Sequence, residues 1–329
     1  MPTVCIPDPV ETLAPYDEER AAAESCGAEL IFGDGTTPLR DADVLLTVGL
    51  IPIDATAIAG LERCRLIVRY GIGVDTIDVA AATARGIVVA NAPTYCVEEV
   101  SDHAAALALG LARRVVALDR AVRERGWAVA QGDLAGVRRM RSRTLGVVGM
   151  GRIGAATVRK LHPFVGRTLG YDPFLAPATI EERGADPADL ETLLRESDIV
   201  SLHVPLSEHT RGLIGADALA LMRPTALLVN TSRGPIVDEA ALARALSAGR
   251  LAGAALDVVS SEPLPTDSPL LAVDQRRLIL TPHAAASSDD SLADLRREVF
   301  DAMRAVLAGR WPGAVVNPDV VPRVPLARA

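Results

Sequence analysis

Three polar motifs in the second half of the chain each follow directly on an apolar run. They contain Arg233 within Asn230–Pro235, Glu262 within Asp257–Pro263, and His283 within Thr281–Ala285. In a parallel α/β sheet the carboxyl ends of the strands share one edge, and ligands bind at that edge. We therefore expect an arginine, a glutamate and a histidine to converge there.

These three residue types suit hydride transfer to a 2-keto acid. The guanidinium of Arg233 offers a planar fork of donors that can bind a carboxylate and polarise a carbonyl. His283 can donate the proton that the developing alkoxide needs, and Glu262 would fix its tautomer and favour its protonated form. Taken singly, the three would be a surface arginine, a loop glutamate and a histidine at a strand end.

A GxGxxG motif links an apolar run to a helical segment. Gly149 permits the tight turn, Gly151 lets the backbone approach a pyrophosphate, and Gly154 allows close packing of helix and strand. The free N–H groups at the start of the following helix suit phosphate binding. The motif in this context predicts a dinucleotide-binding site.

The adenosine end of that site has a candidate acid in Asp172, 18 residues beyond Gly154 and at the end of the next apolar run. An acidic residue at this place accepts hydrogen bonds from ribose hydroxyls. No arginine follows at once, so a 2′-phosphate would face a carboxylate. The prediction is NAD(H) rather than NADP(H).

The elements that must position these residues alternate between short apolar runs and helical stretches, which predicts an α/β fold. Five apolar runs precede the motifs, and six more contain or flank them. A second series of six strands is typical of a doubly wound domain. Between the two series we predict a connecting helix, with Ser101 as its N-cap and an end near Gly126. The predicted strands are 4–6, 29–32, 44–48, 66–69, 87–90, 145–149, 168–171, 199–204, 226–230, 253–258 and 278–281.

Composition excludes several classes of protein. Arginine and lysine together number 34 against 42 acidic residues, a net charge of −8, and Lys160 is the single lysine. Schiff-base chemistry is disfavoured, and the scattered arginines do not form a nucleic-acid footprint.

The start of the chain lacks a secretory signal and no apolar run is long enough for a bilayer, so we expect a cytoplasmic protein. The four cysteines are far apart, and we predict no metal site.

The chain resembles the D-isomer-specific 2-hydroxyacid dehydrogenases over nearly its whole length. Besides the motifs above, Arg69–Asp75 and Val97–His103 match patterns of that family. The resemblance implies two Rossmann-like doubly wound parallel-sheet domains. A flavodoxin-like substrate domain would comprise residues 1–98 and 287–329, and an NAD-binding domain, residues 99–286, would be inserted into it.

The same resemblance assigns the site residues. Arg233, Glu262 and His283 would be catalytic. The substrate would be bound by Arg233 and by the segment Tyr70, Gly71, Ile72 and Gly73. Besides the three glycines, the residues that would line the dinucleotide are Arg152, Ile153, Asp172, Val204, Pro205, Thr231, Asp257 and His283. The connecting helix would be buried in a homodimer. Apart from the resemblance, the position of His103 at the start of that helix favours a structural hinge role over a catalytic one.

The substrate is less constrained than the reaction. Gly49–Pro52 is apolar where the phosphoglycerate-oxidising branch of the family has an arginine, which favours an unphosphorylated 2-hydroxy or 2-keto acid. Two alternatives stay open: a 3-phosphoglycerate dehydrogenase, and an NAD(H)-sensing interaction protein with vestigial activity. The latter reflects similarity to the branch that contains the C-terminal-binding corepressors.

Overall fold

The computed structural model describes residues 1–33 and 39–328, and the chain forms two compact units. The first contains Met1–Cys96 and Ser288–Ala329, and the second contains Val97–Ser287. Each unit has its own parallel sheet and its own hydrophobic core. The predicted fold class, two parallel-sheet α/β domains, is confirmed.

The first unit is a five-stranded parallel sheet in which the strands lie in the order β2 (Glu29–Phe32), β1 (Thr3–Ile6), β3 (Val44–Thr47), β4 (Leu66–Arg69) and β5 (Val88–Ala90). The strands lie between helices, and the carboxyl ends of β3 and β4 are neighbours because these two strands pair. Val299 and Met303 of the last helix pack into the core with Val4 and Leu46, so chain segments from both ends of the sequence close one core. The elements are β1 (Thr3–Ile6), α1 (Asp17–Ser25), β2 (Glu29–Phe32), β3 (Val44–Thr47), α2 (Ala55–Ala59), β4 (Leu66–Arg69), α3 (Val79–Ala84), β5 (Val88–Ala90) and, after the second unit, α12 (Asp289–Leu307).

The second unit begins with three helices and continues as a doubly wound domain. These helices are α4 (Val97–Ala112), α5 (Val115–Arg125) and α6 (Trp127–Gln131). The remaining elements are β6 (Thr144–Val148), α7 (Arg152–Leu161), β7 (Arg167–Tyr171), α8 (Pro177–Glu182), β8 (Asp186–Pro187), α9 (Leu190–Glu196), β9 (Ile199–Leu202), α10 (Ala216–Leu221), β10 (Leu227–Asn230), α11 (Glu239–Ser247), β11 (Gly253–Leu256) and β12 (Leu278–Leu280).

The seven strands of this unit have the order β12-β11-β10-β9-β6-β7-β8, all parallel. The direction of winding reverses between β6 and β9, so their carboxyl ends form the crevice in which doubly wound sheets bind ligands. Gly149 follows β6 and His203 follows β9. Short 3₁₀ helices complete the described structure at Glu11–Leu13, Leu39–Asp41, Gly132–Leu134, Met140–Ser142, Gly234–Ile236 and Pro269–Ala272.

The predicted connecting helix is wrong in two respects. It begins at Val97 rather than at Ser101, whose hydroxyl donates to the carbonyl oxygens of Val97 and Glu98 within the helix. It also ends at Ala112, and a second helix starts at Val115 because Arg114 adopts a left-handed conformation with φ of 57°. Serine is a common N-cap but also bonds back to carbonyls inside helices, and the sequence alone does not separate the two.

The sequence also missed strand β8. It has only two residues, Asp186 and Pro187, and pairs at the edge of the sheet with β7. So short a segment has no alternating pattern, and proline occurs mainly in edge strands. Within residues 1–33 and 39–328, none of the helices combines the length and the apolar character needed to cross a membrane.

Candidate active site

The turn after β10 positions Arg233. The buried Asn230 side chain accepts the N–H of Ser232 at 3.0 Å and donates to the carbonyl of Arg233 at 2.9 Å. Ser232 Oγ donates to the carbonyl of Leu202 at 2.6 Å, which ties the turn to the end of β9. A Cβ on Gly234 would lie 1.9 Å from the carbonyl carbon of Val259, so glycine there lets this turn pack against the loop that carries Glu262.

Glu262 and His283 form a hydrogen-bonded pair. Nδ1 of His283 lies 2.7 Å from Oε2 of Glu262, and Oε1 of the same carboxylate accepts the N–H of Val259 at 3.2 Å. Burial opposes the charged carboxylate, but the bond to His283, the charge of His283 and that of Arg233 outweigh burial and lower the pKa of Glu262. The carboxylate therefore fixes the ring through Nδ1, and Nε2 has no hydrogen-bond partner among the described residues.

The backbone at His283 is left-handed, with φ of 54°. Such a conformation is uncommon for a residue other than glycine and must be held by its surroundings. The N–H of His283 donates to the carbonyl of Asp257 at 2.7 Å. The Asp257 carboxylate accepts the N–H groups of Ala284 and Ala285, both at 2.9 Å. Asp257 thus anchors the loop on both sides of the imidazole.

The three glycines have the geometry that their motif predicts. Gly149 has φ of +91°, and a Cβ there would lie 2.6 Å from the carbonyl oxygen of His203. A Cβ on Gly154 would lie 2.0 Å from the carbonyl oxygen of Gly149, whereas a Cβ on Gly151 would meet no atom within 4 Å. The first and third positions therefore require glycine for packing, and the second lies beside open space that a pyrophosphate can fill.

The ends of this cradle also fit a dinucleotide. Helix α7 has no side-chain cap at Gly151, so its first N–H groups remain for phosphates. Asp172 accepts the N–H groups of Met150 and Phe174, each at 3.0 Å, and its carboxylate keeps acceptor sites for ribose hydroxyls. Thr231 Oγ1 is buried without a hydrogen-bond partner among the described residues, as expected of a wall that contacts a ligand.

The other residues predicted to line the dinucleotide differ in exposure. Arg152 and Ile153 lie in the first turn of α7, with Arg152 exposed and Ile153 half-buried. Val204 is buried and Pro205 exposed after β9. Between the strand and these residues, burial lowers the pKa of His203 to about 4, so its imidazole is neutral at ordinary pH. His203 therefore supports the crevice wall rather than transferring protons.

The predicted substrate segment lies in the first unit, at the carboxyl end of β4. The N–H groups of Tyr70 and Gly71 are already used by the carbonyls of Thr47 and Arg69. Within the described chain, the N–H groups of Ile72 and Gly73 have no protein acceptor. Burial, together with Glu19, raises the pKa of Tyr70 well above its usual value, so its phenol is a packed structural group. Ile72 and Gly73 are the donors that this segment offers.

Sequence reasoning missed the role of Asp8. Its buried carboxylate accepts hydrogen bonds from Thr47 Oγ1 and from the N–H groups of Val48, Gly49 and Leu50, at 2.7 to 3.1 Å. The side chain thereby fixes the loop after β3, beside the Tyr70–Gly73 segment. An aspartate between two prolines after a strand gives no signal of this, because the partners lie about 40 residues away in sequence.

The second unit therefore combines a dinucleotide cradle with an arginine and a Glu–His pair at the carboxyl edge of the same sheet. Within the described residues, no group of three histidine, cysteine, aspartate or glutamate side chains could hold a metal ion. A dinucleotide cradle beside an arginine and a hydrogen-bonded carboxylate–histidine pair is the arrangement expected of a dinucleotide-dependent dehydrogenase.

Comparisons with known proteins identify the kind of dehydrogenase. Residues 105–285 match the family described as D-isomer specific 2-hydroxyacid dehydrogenase, NAD binding domain. A glyoxylate reductase of Korarchaeum cryptofilum is 44% identical over 284 residues, which are 86% of this chain and 85% of that protein. A D-3-phosphoglycerate dehydrogenase of Mycobacterium bovis is 37% identical over 295 residues, 88% of this chain but only 55% of that protein. The chain thus spans about half the length of that phosphoglycerate dehydrogenase.

A comparison with solved structures points to the same family. The D-lactate dehydrogenase of Aquifex aeolicus, determined with NAD and lactic acid, has a TM-score of 0.84 and 28% identity, with coverage of 95% of this chain and 99% of that one. The chain belongs to the D-isomer-specific 2-hydroxyacid dehydrogenases. It is an oxidoreductase that acts on the CH–OH group of hydroxy acids, and it carries the family's NAD-binding domain.

Proposed function

We propose that this protein interconverts an unphosphorylated 2-keto acid and its D-2-hydroxy acid with NAD(H), and that His283 is the acid–base residue. The observation that carries the proposal is the 2.7 Å bond between His283 Nδ1 and Glu262 Oε2, with Arg233 on the adjoining loop. A histidine held by a carboxylate on one nitrogen is poised to transfer a proton at the other.

In the direction of reduction, Arg233 binds the substrate carboxylate and polarises the keto oxygen. A nicotinamide cofactor held by the glycine motif and Asp172 would supply the hydride that the carbonyl carbon accepts. His283 donates its Nε2 proton to the oxygen, so the keto group gains one hydride and one proton and becomes a hydroxyl group. Glu262 stabilises the imidazolium before transfer and keeps the ring oriented afterwards. In oxidation the same groups act in reverse.

Cofactor choice follows from Asp172. Its carboxylate lies beside the glycine motif, where the N–H of Met150 holds it at 3.0 Å. Hydroxyls of an unmodified ribose can donate to it, whereas a 2′-phosphate would be repelled by its charge. We therefore propose a preference for NADH over NADPH.

The first unit supports the choice of an unphosphorylated substrate. The loop after β3 presents the exposed side chains of Leu50 and Ile51, while Asp8 takes the loop's N–H groups of Val48, Gly49 and Leu50. A phosphate at this loop would meet the apolar side chains of Leu50 and Ile51 and would find the loop's N–H groups already bonded to Asp8, so the guanidinium of Arg69 beside Gly49 would be its one charged neighbour among these residues. The name of the Korarchaeum relative favours a small acid such as glyoxylate.

A panel of keto acids tests the function. The protein is assayed with NADH and glyoxylate, pyruvate, 2-ketobutyrate, phenylpyruvate and 3-phosphohydroxypyruvate. We expect turnover of at least one small unphosphorylated acid and none of the phosphorylated one. Preferred turnover of 3-phosphohydroxypyruvate would instead assign a phosphoglycerate dehydrogenase. Tight NADH binding with no turnover would assign an NAD(H)-sensing interaction protein.

We also propose a homodimer, formed through α5 and α6. Trp127 is 73% exposed, and Val115, Val122, Val129 and Leu134 are exposed on the same segment. So many exposed large apolar side chains in one segment favour a protein partner, and the family resemblance favours a second copy. Light scattering should give the dimer mass for the unmodified chain and the monomer mass for Trp127→Glu. Val321→Glu, at an exposed valine of the first unit, is the matched control.

A further inference from the structure

Asp257 is a buried carboxylate with an unusual set of donors. Its side chain is 0% exposed. Besides the two backbone N–H groups that hold the His283 loop, it accepts the hydroxyl of Thr281 at 2.5 Å. Nε2 of His103 lies 3.3 Å from the same oxygen, Oδ1. The four donors bind one carboxylate, and three of them belong to the segment that contains His283.

His103 reaches this carboxylate from helix α4. Its side chain is 25% exposed, and its Nε2 lies 3.1 Å from Thr281 Oγ1 as well as near Asp257. Because the Thr281 hydroxyl donates its one proton to Asp257, its oxygen is an acceptor toward His103. The imidazole must then carry a proton on Nε2, whether it is neutral or cationic.

The four donors decide the charge of Asp257. Burial alone would raise the pKa of this carboxyl, but the bonds from His103, Thr281, Ala284 and Ala285 outweigh it and hold the pKa far below the usual range. Protonation of Asp257 would place a hydrogen on one of its two oxygens and so weaken the bond from Ala284 at Oδ1 or the bond from Ala285 at Oδ2. The loop would then lose the contacts that keep His283 in its left-handed conformation.

We propose that His103 is a positioning residue for the reaction: through Thr281 and Asp257 it holds the loop that orients His283 toward Glu262. The proposal rests on the proposed function, in which His283 is the acid–base group. His103 touches neither His283 nor Glu262 in the described contacts, so its action passes through Asp257. This contact gives His103 a task more specific than the hinge role that its place in the sequence predicted.

The experiment compares His103→Leu with His103→Gln, because leucine keeps the bulk without a donor and glutamine keeps an N–H group near the place of Nε2. For His103→Leu we expect kcat/KM for the keto acid to fall by about 10- to 100-fold, the usual size for groups that orient a reactive residue. NADH binding should be retained. His103→Gln should recover most of the rate, and His162→Leu, the same change at an exposed histidine, should leave it unchanged.

A spectroscopic readout separates positioning from packing and does not depend on turnover. The chain has five histidines, so the ring ¹⁵N signals can be assigned by substitution. In His103→Leu the His283 Nδ1 signal should move toward its position in Glu262→Gln, and in His103→Gln it should return. If His103→Leu does not fold, Thr281→Val breaks the same chain of hydrogen bonds and replaces it in the test.

The outcomes are distinct. A His103→Leu protein that melts at a lower temperature but keeps its kcat/KM and its His283 signal would overturn the proposal, since His103 would then only pack. A wild-type protein that turns over no keto acid would overturn the proposed function instead. The ¹⁵N comparison would still decide whether His103 controls the orientation of His283.

Discussion

The carboxyl edges of the two sheets use their charged residues differently. In the second unit, Glu262 and His283 are 39% and 47% exposed and bind each other across a loop, where a substrate can reach them. In the first unit, Asp8 is buried and is saturated by the loop after β3. Under the proposed function, charge serves proton transfer at the edge of the second unit, whereas the charge of Asp8 fixes the shape of a loop at the edge of the first.

The largest expected effect comes from removing the proposed proton donor at the carboxyl edge of the second unit's sheet. Replacing His283 by alanine should lower kcat/KM by about 10²- to 10⁴-fold, because the proton donor is lost. NADH affinity, measured by fluorescence titration, should stay near the wild-type value. His162→Ala is the matched control, and comparable losses in both variants would show that the comparison between the edges is wrong.

The next effect concerns the first edge, where stability rather than proton transfer should suffer. Asp8→Asn replaces one acceptor oxygen by an amino group that faces N–H donors, and we expect the free energy of unfolding to fall by about 2–4 kcal/mol. Hydrogen exchange at Val48, Gly49 and Leu50 should accelerate. Asp54→Asn is the control: Asp54 caps α2 in the same unit, and asparagine is an equally good cap. An unchanged urea midpoint in Asp8→Asn would refute this role.

The third effect concerns the preference for NADH over NADPH, which we attribute to Asp172 in the second unit. Asp172→Asn removes the charge and keeps one of the two acceptor oxygens, so the side chain can still accept the N–H group of either Met150 or Phe174. The ratio of kcat/KM for NADH to that for NADPH should fall by about 10- to 100-fold, the value of a hydrogen bond to a charged group. Equal use of both cofactors by the unmodified protein would contradict the assignment to Asp172.

Features that depend on a short stretch of sequence could be predicted, whereas contacts between distant segments could not. Strand-end motifs and GxGxxG are local signals, so the fold class was predicted correctly. Arg233, Glu262 and His283 were placed at one sheet edge, and in the structure Glu262 and His283 form a hydrogen-bonded pair. The contacts of Asp8 with residues near 48, and of His103 with Asp257, join segments far apart in sequence and leave no local pattern. Ser101 failed as a cap because the same side chain can bond within a helix.

The smallest expected effect is a pH dependence of stability at the second edge. Bonds from His283 lower the pKa of Glu262 below its usual 4.5, despite burial. A group with a lowered folded-state pKa stabilises the fold above its unfolded pKa, and this contribution is lost as pH falls through the folded value. Because the pair is more than one-third exposed, solvent screening keeps the contribution small.

Melting temperatures of the wild type and Glu262→Gln should therefore differ by a few degrees at most near neutral pH, with the wild type more stable. The difference should vanish at pH values well below 4.5. A difference that grows on acidification would mean that the carboxylate is strained in this pair rather than stabilised by it.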